Sequence, residues 1–159
     1  VKQKVKLSTY SIIISWVTII LLTLLAVYGE QYAAHSWPYQ AGIAIAAIIV
    51  MGLFYMPMSI SADSSAVKIH RILKNKTIKI DEIKSIMIYP LPNGQLRVCG
   101  SAGFLGYWGW FKDPKLGDYF AFYGKTSDCF LVTLKSGRRY ILGCENHTKM
   151  VSYIYKQIQ

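Results

Sequence analysis

Acidic side chains are scarce in this 159-residue chain: 8 Asp and Glu stand against 18 Lys and Arg, a formal net charge of +10. Charge of either sign almost vanishes from the first third, where Glu30 is the one charged residue between Lys6 and Asp63. Cysteine is sparse as well. Cys99, Cys129 and Cys144 are odd in number, far apart, and form no C-x-x-C pair, so they read as free thiols of a reducing compartment rather than a disulfide framework. Cys144 and His147 have C-x-x-H spacing, but two ligands do not make a zinc site. Ser101 in "GSAG" is not the serine of a G-x-S-x-G elbow. Neither long apolar run holds a carboxylate, which argues against an ion pathway or an intramembrane protease. No catalytic residue, metal site or cofactor is therefore expected.

What the chain does have is hydrophobic length. The run Leu7 to Gly29 is uncharged, and its centre, Ile12 to Tyr28, also lacks Gly and Pro. As a helix that centre reaches about 26 Å, close to the hydrocarbon thickness of a bilayer. A second uncharged run, Ala41 to Met58, is apolar all round. A helix with no polar face must be buried in protein or lipid, and the rest of this short chain cannot wrap two of them. The spacing predicts a transmembrane hairpin within residues 1–60, with spans at about 11–29 and 40–58. Ser36 and Pro38 suit the start of the second helix, and Tyr28, Tyr32, Trp37 and Tyr39 would form an interfacial aromatic belt. A cleaved signal peptide is the alternative for the first run; Ala33-Ala34 offers small residues, but the apolar core is longer than such peptides carry.

Charge orients the hairpin. Lys2, Lys4 and Lys6 precede the first span, and the other fifteen basic residues follow Met58, against seven acids. The 29–40 connection has no Lys or Arg. By the positive-inside rule both termini are cytoplasmic and the short connection faces outward.

Residues 61–159 read as mostly β. "SAVKIHRILKN", "KTIKI" and "IKSIMIYPLP" are strand candidates, the last ended by Pro90 and Pro92, with Asn93-Gly94 as a turn before "QLRV". "DYFAFYG", "CFLVTLKSG" and "RRYILGC" follow, the last two forming a hairpin about Ser136-Gly137. Within "CFLVTLK" alternation marks one apolar face. The chain ends in an amphipathic helix, capped by Asn146, with Met150, Val151, Ile154 and Ile158 in one stripe.

Two stretches are candidate binding surfaces. "CGSAGFLGYWGW" places Gly100, Gly103, Gly106 and Gly109 at every third position. The spacing is not the G-x-G-x-x-G of a dinucleotide site, and "GKT" at 124–126 lacks the glycine a P-loop needs five residues earlier. Two readings stay open. Either the glycines form a structural loop whose aromatics fold back onto the domain, or Leu105, Tyr107, Trp108 and Trp110 lie at the membrane surface. The second stretch, "KIHRILKNKTIK", carries Lys68, Arg71, Lys74, Lys76 and Lys79 without an acid. It is either a surface for an anionic leaflet or a solvated, topology-setting charge run. The glycine-aromatic run lacks interleaved cations and resembles no nucleic-acid reading module, so nucleic acid is not an expected partner.

Six or seven strands followed by one amphipathic helix resembles a pleckstrin-homology (PH) domain, and more closely the bacterial PH-like domains carried behind a transmembrane hairpin. The residues that carry this are "VKIHRILKNKTIKIDEIKSIMIY", "LRVCGSAGFLGYWGWFKDPKLGDYFAFYG" and "CFLVTLKSGRRYILGCEN". Arg97, Gly100, Ser101, Gly109, Leu116 and Gly117 occupy positions that recur in such proteins. The resemblance implies a bent sandwich plugged by its terminal helix. It also implies a binding role rather than a catalytic one. In eukaryotic PH domains the first hairpin, where Lys74 and Lys76 fall, supplies phosphoinositide ligands, but the usual K-x(n)-R-x-R pattern is absent here. The expectation is a membrane α-hairpin followed by a cytoplasmic, mostly-β PH-like sandwich in a bacterial inner membrane, acting as a non-catalytic binding or assembly module. The alternative is a small accessory subunit of a membrane transporter or membrane enzyme. Expected partners are the bilayer, anionic lipid headgroups, and either a second copy of the chain or a membrane protein. Small residues in "AGIAIAA" would permit such helix packing.

Overall fold

The computed structural model describes residues 1–32, 37–92 and 95–159, with side chains described outside 29–39. The Ser36 cap, the Ala33-Ala34 pair and the Asn93-Gly94 turn lie outside the described residues, as do the side chains of Tyr32, Trp37 and Tyr39. A short strand β1 (Lys2–Lys4) precedes two helices, α1 (Thr9–Tyr32) and α2 (Trp37–Tyr55), which pack against each other. The second helix stops three residues before the expected limit, because Pro57 disfavours helical geometry at the residue before it. Strand β2 (Pro57–Ala62) follows at once, so the β part begins before the expected boundary at residue 61.

Among the described residues nine strands follow the helices: β2, β3 (Ala66–Arg71), β4 (Lys76–Lys79), β5 (Ile83–Ile88), β6 (Leu96–Gly103), β7 (Gly106–Asp113), β8 (Gly117–Tyr123), β9 (Cys129–Leu134) and β10 (Arg139–Gly143). The terminal helix is α3 (His147–Ile158). One sheet runs β1-β2-β3-β4, the other β5-β9-β10-β8-β7-β6. All pairings are antiparallel except β8 with β10. The count exceeds the expected six or seven because Lys2–Lys4 and Pro57–Ala62 are strands and because the glycine run, instead of a loop, extends β6 and adds β7.

The main core lies between the sheets, where Ile60, Val67, Ile69 and Ile78 meet Phe122, Phe130, Val132 and Leu142. Met150 and Ile154 of α3, both fully buried, close this core as the apolar stripe predicts. A second cluster, including Phe111, Tyr119, Tyr123, Leu131 and Ile141, covers the other face of the six-stranded sheet. β9 is therefore buried on both faces, not on one. The expected Asn146 side-chain cap is also absent: its amide donates to Gln3 Oε1 at 3.2 Å instead.

The N-terminal segment belongs to the domain. Lys2, Gln3 and Lys4 pair with Ser61, Ile60 and Ser59, and the Val5 N–H donates to the Met58 carbonyl at 3.0 Å. On its other side the Glu145 N–H donates to the Lys4 carbonyl, and Lys6 pairs with the Glu145 carboxylate at 2.6 Å. The start of α1 and the end of α2 are thus held side by side. By length and composition Thr9–Tyr28 is long and apolar enough to cross a membrane; Gln40–Tyr55 is a shorter apolar helix.

Candidate functional site

The glycine spacing follows from hairpin register. β6 and β7 pair about a two-residue turn, Phe104-Leu105, so a three-residue repeat centred there sets Gly100 opposite Gly109 and Gly103 opposite Gly106. At Gly100 (φ +123°) a Cβ would overlap the Trp108 carbonyl oxygen, and at Gly109 (φ +117°) one would overlap that of Cys99. Only glycine allows both that backbone region and that approach. The "glycine loop" of Gly100, Gly103, Gly106 and Gly109 is therefore corrected to a closely apposed hairpin.

The tip of this hairpin docks at the base of the two helices. The Leu105 N–H donates to Ser15 Oγ at 2.8 Å, and the Ser15 hydroxyl donates to the Ser11 carbonyl at 2.7 Å. Across from them, a Cβ at Gly52 would lie 2.7 Å from Phe104 and 2.9 Å from Leu105, so the missing side chain in α2 makes room for the tip. The Phe104 carbonyl accepts from Ser101 Oγ at 2.8 Å and from Trp108 Nε1 at 3.2 Å, which locks the turn.

The four residues named for the membrane surface separate accordingly. Trp108 is buried and stacks on Tyr55, centroids 5.2 Å apart. Tyr107 is half-buried and stacks on Tyr123 at 4.7 Å; burial pushes its phenol pKa up. Leu105 is held in the turn. Trp110 remains 45% exposed, edge-on to Phe120. Burial against Tyr55 takes Trp108 away from the surface, whereas Leu105 and Tyr107 are each half-buried where the hairpin meets the helices and the domain.

The basic residues divide by strand alternation. Ile69 pairs with Lys76 and Lys68 with Thr77, so Lys76 and Arg71 share the core-facing side while Lys68 and Lys79 face outward. Lys68 pairs with Asp63 at 3.2 Å. Arg71 sits 5.5 Å from the centroids of Phe54 and Tyr55 and 5.4 Å from that of Phe122; burial lowers its guanidinium pKa. Its Nε donates to the Lys74 carbonyl at 2.6 Å. Arg71 therefore straps the β3–β4 turn to the last turn of α2. Lys76 lies 5.9 Å from the Tyr140 ring centroid, and Lys74 and Lys79 are exposed.

Arg71, Lys74 and Lys76 come together with Trp110, Phe120 and Arg138 around an open groove of about 420 Å³ beside the end of α2. Among the described residues its lining holds four cations and no carboxylate, over an aromatic floor. Such a groove can take an anion or the polar end of an amphiphile. Arg138, Phe54 and Tyr55 escaped the sequence reading; the pairing of an apolar run's aromatic end with a basic strand was the available signal. Elsewhere several polar groups have structural partners, while Tyr119 Oη and His147 Nδ1 are buried without one among the described residues. Asp63 and Asp113 accept backbone N–H groups in their own turns, and His70 Nε2 lies 2.8 Å from Ser61 Oγ.

A family model described as a bacterial PH domain matches residues 58–157. No curated protein and no solved structure matches the chain.

Proposed function

The chain belongs to the bacterial PH domain family, and from that premise we propose that it is a membrane-anchored, non-catalytic binding or assembly module, its helices forming a two-span hairpin and its domain cytoplasmic. The observation that carries this is the β1–β2 clamp around two bare helices. Because β1 pairs with β2, the start of α1 and the end of α2 lie on one edge of the domain. If α1 crosses a bilayer, α2 must bring the chain back. The 24 residues of α1 and 19 of α2 reach about 36 Å and 28 Å, enough for a crossing and a return. Trp16 (63% exposed), Leu21 (60%) and Ile43 (71%) leave apolar surface that water would penalise and lipid would not. The excess of cations on both flanks supports a cytoplasmic domain.

A binding role is what the family supports, and the acids and histidine described above serve turns, pairs and sheet contacts rather than one reactive cluster. Alkaline carbonate washing of native membranes tests the anchor: the chain should remain in the pellet and leave only with detergent. Release by carbonate would overturn the anchoring. Extraction into native nanodiscs followed by mass spectrometry then reads the binding role. Stoichiometric retention of a membrane enzyme or transporter would replace this reading with that of an accessory subunit.

A further inference from the structure

The β3–β4 turn carries two apolar side chains with nothing over them: Ile72 is 46% exposed and Leu73 61%. A β-turn tip in water rarely offers adjacent Ile and Leu, since turns favour Gly, Asn, Asp, Ser and Pro. Its position is set from two sides. Arg71 pairs across the sheet with Pro57, two residues past the end of α2, so the turn is level with that end. The Arg71 guanidinium, over the Phe54 and Tyr55 rings, fixes it there. The flanking charge is of one sign: Arg71, Lys74 and Lys76 border the pair, and no acid occurs between Asp63 and Asp81. Exposed Trp110 lines the groove beside the same turn.

Exposed aliphatics level with the end of the apolar helix α2 and flanked by cations match the layering of a bilayer interface, where acyl chains lie below a plane of anionic headgroups. We infer that the β3–β4 turn is a second membrane contact: Ile72 and Leu73 enter the interfacial region of the leaflet from which α2 emerges, while Lys74 and its neighbours meet anionic headgroups. This rests on the anchored reading above and adds to it a docked orientation of the domain. The domain then lies against the bilayer through its β3–β4 edge, and the Gly100–Gly109 hairpin is held inward between the helices.

The test uses the full chain, carrying Cys99→Ser to remove its exposed thiol, in nanodiscs of phosphatidylcholine with phosphatidylglycerol. A bimane label is placed singly at Leu73→Cys, at Val50→Cys in α2, and at Ser64→Cys in the turn at the opposite end of the small sheet. Brominated lipid should quench the label at 73 and at 50 but not at 64, and aqueous iodide should quench only at 64. Adding Lys74→Glu should cost position 73 part of its lipid quenching and open it to iodide, with position 50 unchanged. A label at 73 that behaves like 64, while 50 is lipid-quenched, overturns the second contact and leaves the anchor standing. Shielding of 73 from both quenchers, as burial against another protein would give, overturns it too. Failure of lipid to quench position 50 sinks the anchored reading itself. Equal quenching at 73 without phosphatidylglycerol overturns the role given to anionic headgroups.

Discussion

Single residues decide the local geometry most sharply where backbones meet. Gly100 faces Gly109 with no room for a Cβ and with φ in the left-handed region, so Gly100→Ala should lower stability by at least the 1–3 kcal/mol or so of a strained backbone position. Gly42 in α2 is the control: a Cβ there meets nothing within 4 Å, and Gly42→Ala should leave the melting temperature unchanged or raised. Equal losses at the two sites would contradict the hairpin register. Asp63 gives a pH dependence. Its carboxylate accepts the Ser65 hydroxyl at 2.6 Å, the N–H groups of Ser65 and Ala66 at 2.9 and 2.8 Å, and Lys68 Nζ at 3.2 Å, which hold its pKa far below the usual carboxylate value. A lowered folded pKa stabilises above the unfolded value and is lost as pH falls toward the folded one. The gap in melting temperature between the parent and Asp63→Ala should therefore be constant from neutral pH to about pH 5, then close below about pH 4. A gap that widens on acidification would refute this. The buried Cys144 thiol, pushed up to about 12 chiefly by desolvation, and Cys129, raised for the same reason, are placed to pack rather than react.

At the scale of elements, the β6–β7 hairpin and α3 carry opposite lessons. The hairpin joins the domain to the helices through Trp108, which is 7% exposed and stacked on Tyr55 of α2. Trp108→Ala should cost about 3–5 kcal/mol, as large aromatic truncations in cores do. Trp110→Ala, at 45% exposure, should cost much less. Urea unfolding in detergent reads both, and equivalence of the two would return the hairpin to the surface. Helix α3 behaves as its sequence pattern says. Ile154 is fully buried, so Ile154→Ala should cost about 2–5 kcal/mol, while Lys156→Ala on the exposed side should be silent. A comparable loss from Lys156→Ala would mean that α3 does not plug the sandwich through this face.

For the whole molecule, the clamp between β1 and β2 ties topology to fold. Both ends of the helix pair leave one sheet edge, so positions near the domain and near the helix connection should lie on opposite sides of the membrane. With Cys99→Ser as background, a membrane-impermeant thiol reagent should label Ala34→Cys in intact cells and spare Ser136→Cys until the cells are opened. Labelling of position 136 in intact cells would overturn the hairpin topology. The clamp also makes residues 1–8 part of the domain: they give the small sheet its fourth strand and cover the β10–α3 junction through Lys4, Lys6 and Gln3.

Patterns that repeat along the chain were legible before any coordinates. The two apolar runs, the charge asymmetry, the β9–β10 hairpin and the stripe Met150-Val151-Ile154-Ile158 each encode one local preference, and local preferences survive into the fold. Contacts between distant segments were not legible. Lys2–Lys4 reads as three isolated charges because a strand of three residues has no pattern; only pairing with Ser59–Ser61 makes it one. Gly100–Gly109 reads as a loop because a period of three is neither helical nor extended; only the register across Phe104-Leu105 turns it into facing glycine pairs. The five cations from Lys68 to Lys79 look like one patch in sequence, yet strand alternation sends four of them to two faces and leaves Lys74 in the turn between. Arg71 is drawn onto the rings of α2, whose burial against the domain no single segment could announce. Sequence by itself determined which segments are apolar, extended or helical. Tertiary structure alone decided which of them touch, because that choice is set by register and packing between residues far apart in the chain.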